Sequence, residues 1–399
     1  MLRRLLVPQQ EIKKRIRELQ RTLQSSSADG AFLAQRADIY YFSGYDDYDY
    51  MFIPAEGQAS VFYLVRYVGE DDVAGLYNIH FIDGSGEIPK ILRIKNDSAL
   101  LRIGLELDVI SFQECQVYQD LFKRGEIFDV SPLILGLRAR KSMWELEKMK
   151  EAAGITAQVF EGIRASLSPG MSEVELSAEA EAHAQALGDS FIDIRVRDYK
   201  TEGYPWHILS GTNGGMLGLL DSPASGRGTS AAFPCGASQK RIQAHEPVMV
   251  DFSCGLHGYH MDETRMFCVG SMPEAPLKAS KAAIEIHNFV LEHVRPGVKA
   301  GELFDLSVSK ARELGYEDSY LGPEGYKVNF VGHGIGAELI EWPLIARGRD
   351  DVLEPGMTFA LEPKIVYKDR FIAGVESVVA VTEDRYELIS KVPVEVFVC

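Results

Sequence analysis

The sequence carries one piece of punctuation twice. Pro169-Gly170 is followed by Glu175-Leu176 and then by Leu187-Gly188. Pro296-Gly297 is followed, at the same spacings, by Glu302-Leu303 and then by Leu314-Gly315. Each unit reads as a turn, a capped helix and a glycine stop. Three matched pairs are more than chance readily supplies, so the later part of the chain is expected to consist of two related halves. A duplicated half-domain leaves a cleft between its copies, and chemistry is expected where strands from both halves meet.

The 399 residues suggest two domains, or three, with ample material for buried cores. The first part mixes helical stretches with short apolar runs: Gly30-Ala31-Phe32-Leu33, Ala59-Ser60-Val61-Phe62-Tyr63-Leu64-Val65 and Arg102-Ile103-Gly104-Leu105-Glu106. These read as strands between helices, hence an α/β domain over residues 1–137. The stretch Tyr45-Asp46-Asp47-Tyr48-Asp49-Tyr50 reads as a surface loop with half-buried rings. A boundary falls near Leu137-Arg138-Ala139-Arg140-Lys141. Beyond it Ser142 stands three residues before Glu145, the spacing of a capping box. The helix so opened is expected to run through Trp144, Leu146, Met149 and Ala152 to Phe160, and to begin a second domain over residues 138–399.

The formal net charge of −16 argues against a general affinity for nucleic acid or for anionic membrane surfaces. Five scattered cysteines (Cys115, Cys235, Cys254, Cys268 and Cys399) fit neither a disulfide framework nor a zinc finger, which points to a reducing compartment. The basic start runs into Gln9-Gln10-Glu11 without an apolar signal core, and no stretch approaches the length of a membrane span. The cytoplasm is the expected location.

Chemistry concentrates in two hairpins. Residues 246–253 read as a strand, Cys254-Gly255-Leu256-His257-Gly258 as a turn and Tyr259 through Phe267 as the return. In that arrangement Asp251 and Asp262 lie directly opposite on one face, at a spacing where like charges are destabilising. A metal ion between them resolves the conflict. Downstream, Met357 to Glu362 is strand-like, Tyr367 to Phe371 is a polar turn, and Ala373 to Val379 returns. Glu362 and Glu376 are symmetric about Asp369. Between the hairpins, Val331-Gly332-His333-Gly334-Ile335-Gly336 brings an imidazole close to neighbouring backbone. Taken singly, each of these residues has an ordinary structural reading; together they read as two divalent ions on four carboxylates and one histidine. Manganese suits this hard donor set first, with iron, cobalt and zinc as alternatives.

The order of DFSCGLHGYHMDETRMF, GHGIG, LEP and a late VES resembles the pita-bread metallopeptidases: Xaa-Pro dipeptidase (prolidase), Xaa-Pro aminopeptidase and creatinase. The resemblance spans nearly the whole chain. It implies an α+β pita-bread catalytic domain with pseudo-twofold halves, preceded by a creatinase-type α/β N-terminal domain. It further implies that Asp251 binds one metal, His333 and Glu362 the other, that Asp262 and Glu376 bridge them, and that Glu362 passes a proton between the attacking water and the leaving amine. A homodimer is what the family suggests.

The surroundings depart from the family pattern. Where a histidine usually follows a proline ahead of the first ligand, the chain has Pro234-Cys235, and where a His-Glu pair is usual it has Ile340-Glu341. The usual arginine two residues before the last ligand is Gly374, and the glycine of Glu-Pro-Gly is Lys364. His207, Cys235, His257, Tyr259, His260 and Thr264 are the candidates for substrate or supporting contacts, and glycine-rich residues 207–234 for a cleft-lining loop. Three functions compete. The first is an Xaa-Pro peptidase acting on dipeptides or short peptides. The second is a hydrolase or lyase acting on a small polar non-peptide metabolite, as in creatinase, ectoine hydrolase or a dimethylsulfoniopropionate lyase. The third is a binding protein without catalysis.

Overall fold

The computed structural model describes residues 7–64, 75–93, 101–122, 125–188, 197, 207–218 and 222–399. The basic start at residues 1–6 and Val65, at the end of one expected strand, lie outside them. The chain divides into two compact units, Met1–Arg138 and Ala139–Cys399.

The first unit runs α1 (Gln9–Ser25), β1 (Gly30–Leu33), α2 (Arg36–Ser43), β2 (Tyr50–Pro54), β3 (Ser60–Tyr63), β4 (Asn78–Phe81), α3 (Ile88–Ile91), β5 (Arg102–Leu105), α4 (Phe112–Leu121), β6 (Glu126–Asp129) and α5 (Ser131–Ala139). Its strands form one mixed sheet in the order β4-β3-β2-β1-β5-β6. The apolar runs of the sequence are the strands β1, β3 and β5, as alternation between helices suggested. The tyrosine-rich stretch differs from its surface reading. Tyr45 and Tyr48 are buried, with the Tyr48 ring edge-on to Tyr45, Tyr63 and Tyr77 and its hydroxyl 3.2 Å from that of Tyr77. Burying the rings removes a large apolar area from water, while Asp46, Asp47 and Asp49 between them keep contact with solvent.

The second unit continues with α6 (Met143–Ser166), α7 (Glu173–Ala186), β7 (His207–Ser210), β8 (Val248–Leu256), β9 (Tyr259–Cys268), α8 (Glu274–Leu291), α9 (Ala300–Glu313), β10 (Phe330–Gly334), β11 (Glu341–Ala346), β12 (Thr358–Leu361), β13 (Lys364–Tyr367), β14 (Phe371–Gly374), β15 (Ser377–Val381), β16 (Tyr386–Leu388) and β17 (Val396–Val398). Helix α6 opens on the expected capping box: Ser142 Oγ accepts from the Glu145 amide, and Glu145 accepts from that of Ser142. It runs past Phe160 to Ser166.

The repeated punctuation maps onto α7 and α9. Gly170 and Gly297 precede them at φ 92° and 88°, and Gly188 and Gly315 follow them at 101° and 79°, a backbone region that only glycine enters freely. The amide of Gly170 donates to Ile242 O and that of Gly297 to Leu353 O, so both turns are also tied down alike. One detail differs from the sequence reading. α7 has a Ser172 capping box, whereas α9 starts after Lys299 without a side-chain cap.

One sheet has the order β17-β9-β8-β7 and a second β11-β10-β12-β15-β16, with β13 and β14 as a separate ribbon. Helix α9 packs on the second sheet and α8 on the β13–β14 ribbon, through a shared core that includes Ile286, Val290, Leu303, Phe304, Phe359 and Leu361, all buried. Truncating such a side chain to alanine costs about 2–5 kcal/mol, so this core fixes the strands that carry the site.

Candidate metal centre

The turn between β8 and β9 is His257-Gly258, at φ 54° and 78°. Two positive φ values in a two-residue hairpin are the type I′ geometry that matches strand twist. That turn sets the register: Leu256 faces Tyr259, Ser253 faces Asp262, and Asp251 faces Thr264. The longer turn expected from the sequence was centred too early, so Asp251 and Asp262 are diagonal neighbours rather than direct opposites. Because side chains alternate, a two-residue slip leaves both aspartates on one face.

In the second hairpin, Leu361 faces Ser377 and Lys364 faces Gly374. Both registers are centred on Asp369, itself at φ 56°, which gives Glu362 and Glu376 facing positions in the gap between the two ribbons. Glu376 joins the halves of the unit: its amide donates to Thr264 O at 3.0 Å. The wholly buried Arg265 guanidinium donates to the carbonyls of Glu376, Thr264 (2.8 Å) and Val392 (2.6 Å).

His333 lies on β10, between β11 and β12, with Ala360 as its partner across the ladder. Its flanking glycines are required by close backbone approach. A Cβ on Gly332 would stand 2.3 Å from Ala360 O, and one on Gly334 2.2 Å from the Trp342 backbone.

These elements bring Asp262, His333 and Glu376 together, with one ligand atom from each lying within 4.8 Å of the others. His333 Nε2 is 3.8 Å from Asp262 Oδ2, from Glu362 Oε1 and from Glu376 Oε1. Its Nδ1 sits 3.1 Å from Gly334 O; donation there places the ring proton on Nδ1 and leaves the Nε2 lone pair facing the carboxylates. Ser253 Oγ donates to Asp262 Oδ1 at 2.8 Å and Thr264 Oγ1 to Glu376 Oε2 at 2.7 Å. Burial, and then the charge of Asp251, pushes the Asp262 carboxyl well above its usual range. Burial, and then Asp262, does the same to Glu376. Buried oxygens crowded in this way around one imidazole lone pair fit a divalent ion.

Asp251 is placed differently. Its Oδ2 accepts from Lys364 Nζ at 2.9 Å and lies 3.5 Å from His207 Nδ1. Burial opposes its charge, but Lys364 and then His207 outweigh that and hold the carboxyl below its usual range. Lys364 also donates to Glu362 Oε2 at 2.7 Å and lies 3.8 Å from Glu376 Oε2. The sequence reading noted Lys364 only as a departure from a pattern and missed it as a member of the site. Its position two residues after Glu362 was the available signal, since strand alternation returns a side chain to the same face.

His207 is on β7, directly across the ladder from Asp251, and its Nε2 is 3.6 Å from Cys235 Sγ. Burial works against its charge, yet hydrogen bonding to Asp251 and Cys235 prevails and lifts it to about 9. His207, Cys235 and Thr264 thus border the site. Tyr259 is placed elsewhere: strand alternation turns it to the face opposite Asp262, where its hydroxyl donates to Glu145 at 3.0 Å. His260 Nδ1 lies 3.0 Å from Gly336 O, and His257 in the turn is 3.9 Å from Glu151. Glu341 pairs with the buried Lys141 at 2.5 Å. The glycine-rich stretch begins as strand β7 rather than as loop; its residues 219–221 lie outside the described part. Asn213, Met216 and Arg227 from it line a cavity of about 350 Å³ with Ser238 and Lys240.

Residues 147–383 match metallopeptidase family M24, and residues 15–140 match the creatinase/prolidase N-terminal domain. The chain is 26% identical over 383 residues to an Xaa-Pro dipeptidase of Pyrococcus furiosus, covering 95% of this chain and 98% of that one. Among solved structures it is similar to an Xaa-Pro dipeptidase from Bacillus anthracis (TM-score 0.80, 24% identity, 97% of this chain and 100% of that one). It is likewise similar to the prolidase from Pyrococcus furiosus (TM-score 0.76, 23% identity, 94% and 99%). The fold is therefore the pita-bread one with its creatinase-type N-terminal domain.

Proposed function

The chain belongs to metallopeptidase family M24, and from that premise we propose that it is a metal-dependent Xaa-Pro dipeptidase that hydrolyses the amide bond before proline in dipeptides or short peptides. One observation carries this reading: Asp262, His333 and Glu376 converge on a common point inside the protein, with Glu362 beside them. Relatives matched over nearly the whole chain include Xaa-Pro dipeptidases by name. That favours a peptide over a polar metabolite, and catalysis over binding alone.

Asp262, His333 and Glu376 would hold a divalent ion, whose Lewis acidity would lower the pKa of a water and polarise a carbonyl. The chain's own groups do the rest. Glu362 accepts the proton of the attacking water and returns it to the proline nitrogen as the bond breaks, general base and then general acid. Lys364, donating to Glu362 Oε2, orients that carboxylate. Thr264 and Ser253 hold Glu376 and Asp262 in single orientations, and Arg265 fixes the backbone that carries Glu376. The nearness of His207 Nε2 to Cys235 Sγ, 3.6 Å, supports a role for His207 as the substrate donor that a histidine fills in the family where this chain has Cys235.

The hard donor set supports manganese as the working metal. The free cysteines support a reducing, cytoplasmic setting, no helix among the described residues is long and apolar enough to cross a membrane, and the family resemblance supports a homodimer. The test is release of proline from a panel of Xaa-Pro dipeptides, with Xaa-Ala dipeptides as controls. Turnover confined to the proline series supports the reading; a metal-loaded protein that releases no proline overturns it.

A further inference from the structure

We propose that the Lys364 ammonium takes the place of one of the two divalent ions that four carboxylates and a histidine would otherwise hold, so that the centre binds a single divalent ion at Asp262, His333 and Glu376. This rests on reading the centre as metal-binding and concerns how many ions it takes.

The five residues sort into two poles. Asp262, His333 and Glu376 form a compact ligand group. Asp251 is outside that group; its Oδ2 touches Lys364 Nζ at 2.9 Å and lies 3.5 Å from His207 Nδ1. The same nitrogen is 2.7 Å from Glu362 Oε2 and 3.8 Å from Glu376 Oε2. The ammonium therefore sits on the carboxylate oxygens that an ion at the Asp251 pole would need. Its side chain is 3% exposed, so the ammonium is buried among these carboxylates.

Charge points the same way. Four carboxylates bring four negative charges; Lys364 and one divalent ion bring three positive ones, whereas Lys364 and two ions bring five. Adding a divalent ion beside a buried ammonium places like charges in contact where screening by water is weak.

The lysine also has a built seat. Gly374 is its partner across the β13–β14 ladder, and a Cβ there would stand 2.7 Å from Lys364 Cγ. The methylene stem thus occupies room that any other residue at 374 would fill, and it directs Nζ inward to the carboxylates.

The experiment loads the full chain with manganese, counts metal per chain by elemental analysis and records the electron paramagnetic resonance spectrum. The wild type is expected to hold one ion with the hyperfine pattern of an isolated manganous centre. Lys364→Gly, which removes the ammonium and its stem, is expected to hold two, with the spectrum of an exchange-coupled pair. Two ions in the wild type would overturn the proposal while leaving the metallopeptidase reading intact. One ion in both proteins would show that something other than Lys364 limits the count and would also overturn it. No bound ion in the wild type would overturn both readings. If Lys364→Gly does not fold, the wild-type count and spectrum still decide.

Discussion

Lys364 and Gly374 face each other across the β13–β14 ladder, the glycine lacking the Cβ that would collide with the lysine stem. Two departures from the family pattern, a lysine for a glycine and a glycine for an arginine, are therefore the two halves of one cross-strand pair. Gly374→Ala in the metal-loaded protein is expected to cost about 1–3 kcal/mol, the usual range for overpacking a tight site. In a Lys364→Ala background, which has no Cγ, the same change costs little. A double-mutant cycle by thermal melting reads the coupling; additive losses would show that the two residues do not share space.

Thr264 Oγ1 holds Glu376 Oε2 at 2.7 Å. Supporting hydrogen bonds of this kind are worth about 10–100-fold in metal affinity. Thr264→Val, which keeps the side-chain volume and removes the hydroxyl, is expected to weaken manganese binding by about that factor in a chelator-competition titration. Unchanged affinity would mean that Glu376 is oriented by its backbone ties alone.

Glu362 lies 3.8 Å from His333 Nε2 and accepts from Lys364. Glu362→Gln is expected to lower kcat by about 10²–10⁴-fold while Asp262, His333 and Glu376 keep the ion in place. Metal content and proline release measured on the same sample separate the two effects. A variant that keeps the metal and the rate would remove Glu362 from proton transfer.

His207, lifted from the usual 6.5 to about 9 by Asp251 and Cys235 against the opposing effect of burial, binds its proton more tightly folded than unfolded. Its contribution to stability is full below pH 6.5 and is lost as pH rises through about 9. The shift corresponds to about 3 kcal/mol. Metal-free protein is expected to lose stability over that window in denaturant melts, and His207→Gln to flatten the loss. A wild-type profile as flat as the variant's would place the folded pKa near the ordinary value.

Local signals were legible wherever a residue type is forced by backbone geometry. The paired glycines around α7 and α9 could be read because left-handed turns admit few other residues, and the Ser142 box because a cap needs both partners at fixed spacing. The second hairpin was legible through its symmetry about Asp369. The first was misread by one turn position, since Gly255 and Gly258 are both plausible turn residues and only the positive φ at His257 decides between them. Tyr45 and Tyr48 were read as half-buried because local polarity says nothing of the rings that meet them from β3 and from Tyr77. Lys364 escaped because a lysine in a sequence looks like surface; that it lies among carboxylates from β8, the 362 position and the 376 position is a property of three segments brought together.

The most direct measurement is proline release from Xaa-Pro dipeptides by the purified chain before chelation, after chelation and after manganese is restored, with Asp262→Asn as the control. Release that stops on chelation, returns with manganese and is absent from Asp262→Asn is the expected result. Release that survives full metal removal, or an Asp262→Asn protein as active as the wild type, would contradict a peptidase built on Asp262, His333 and Glu376.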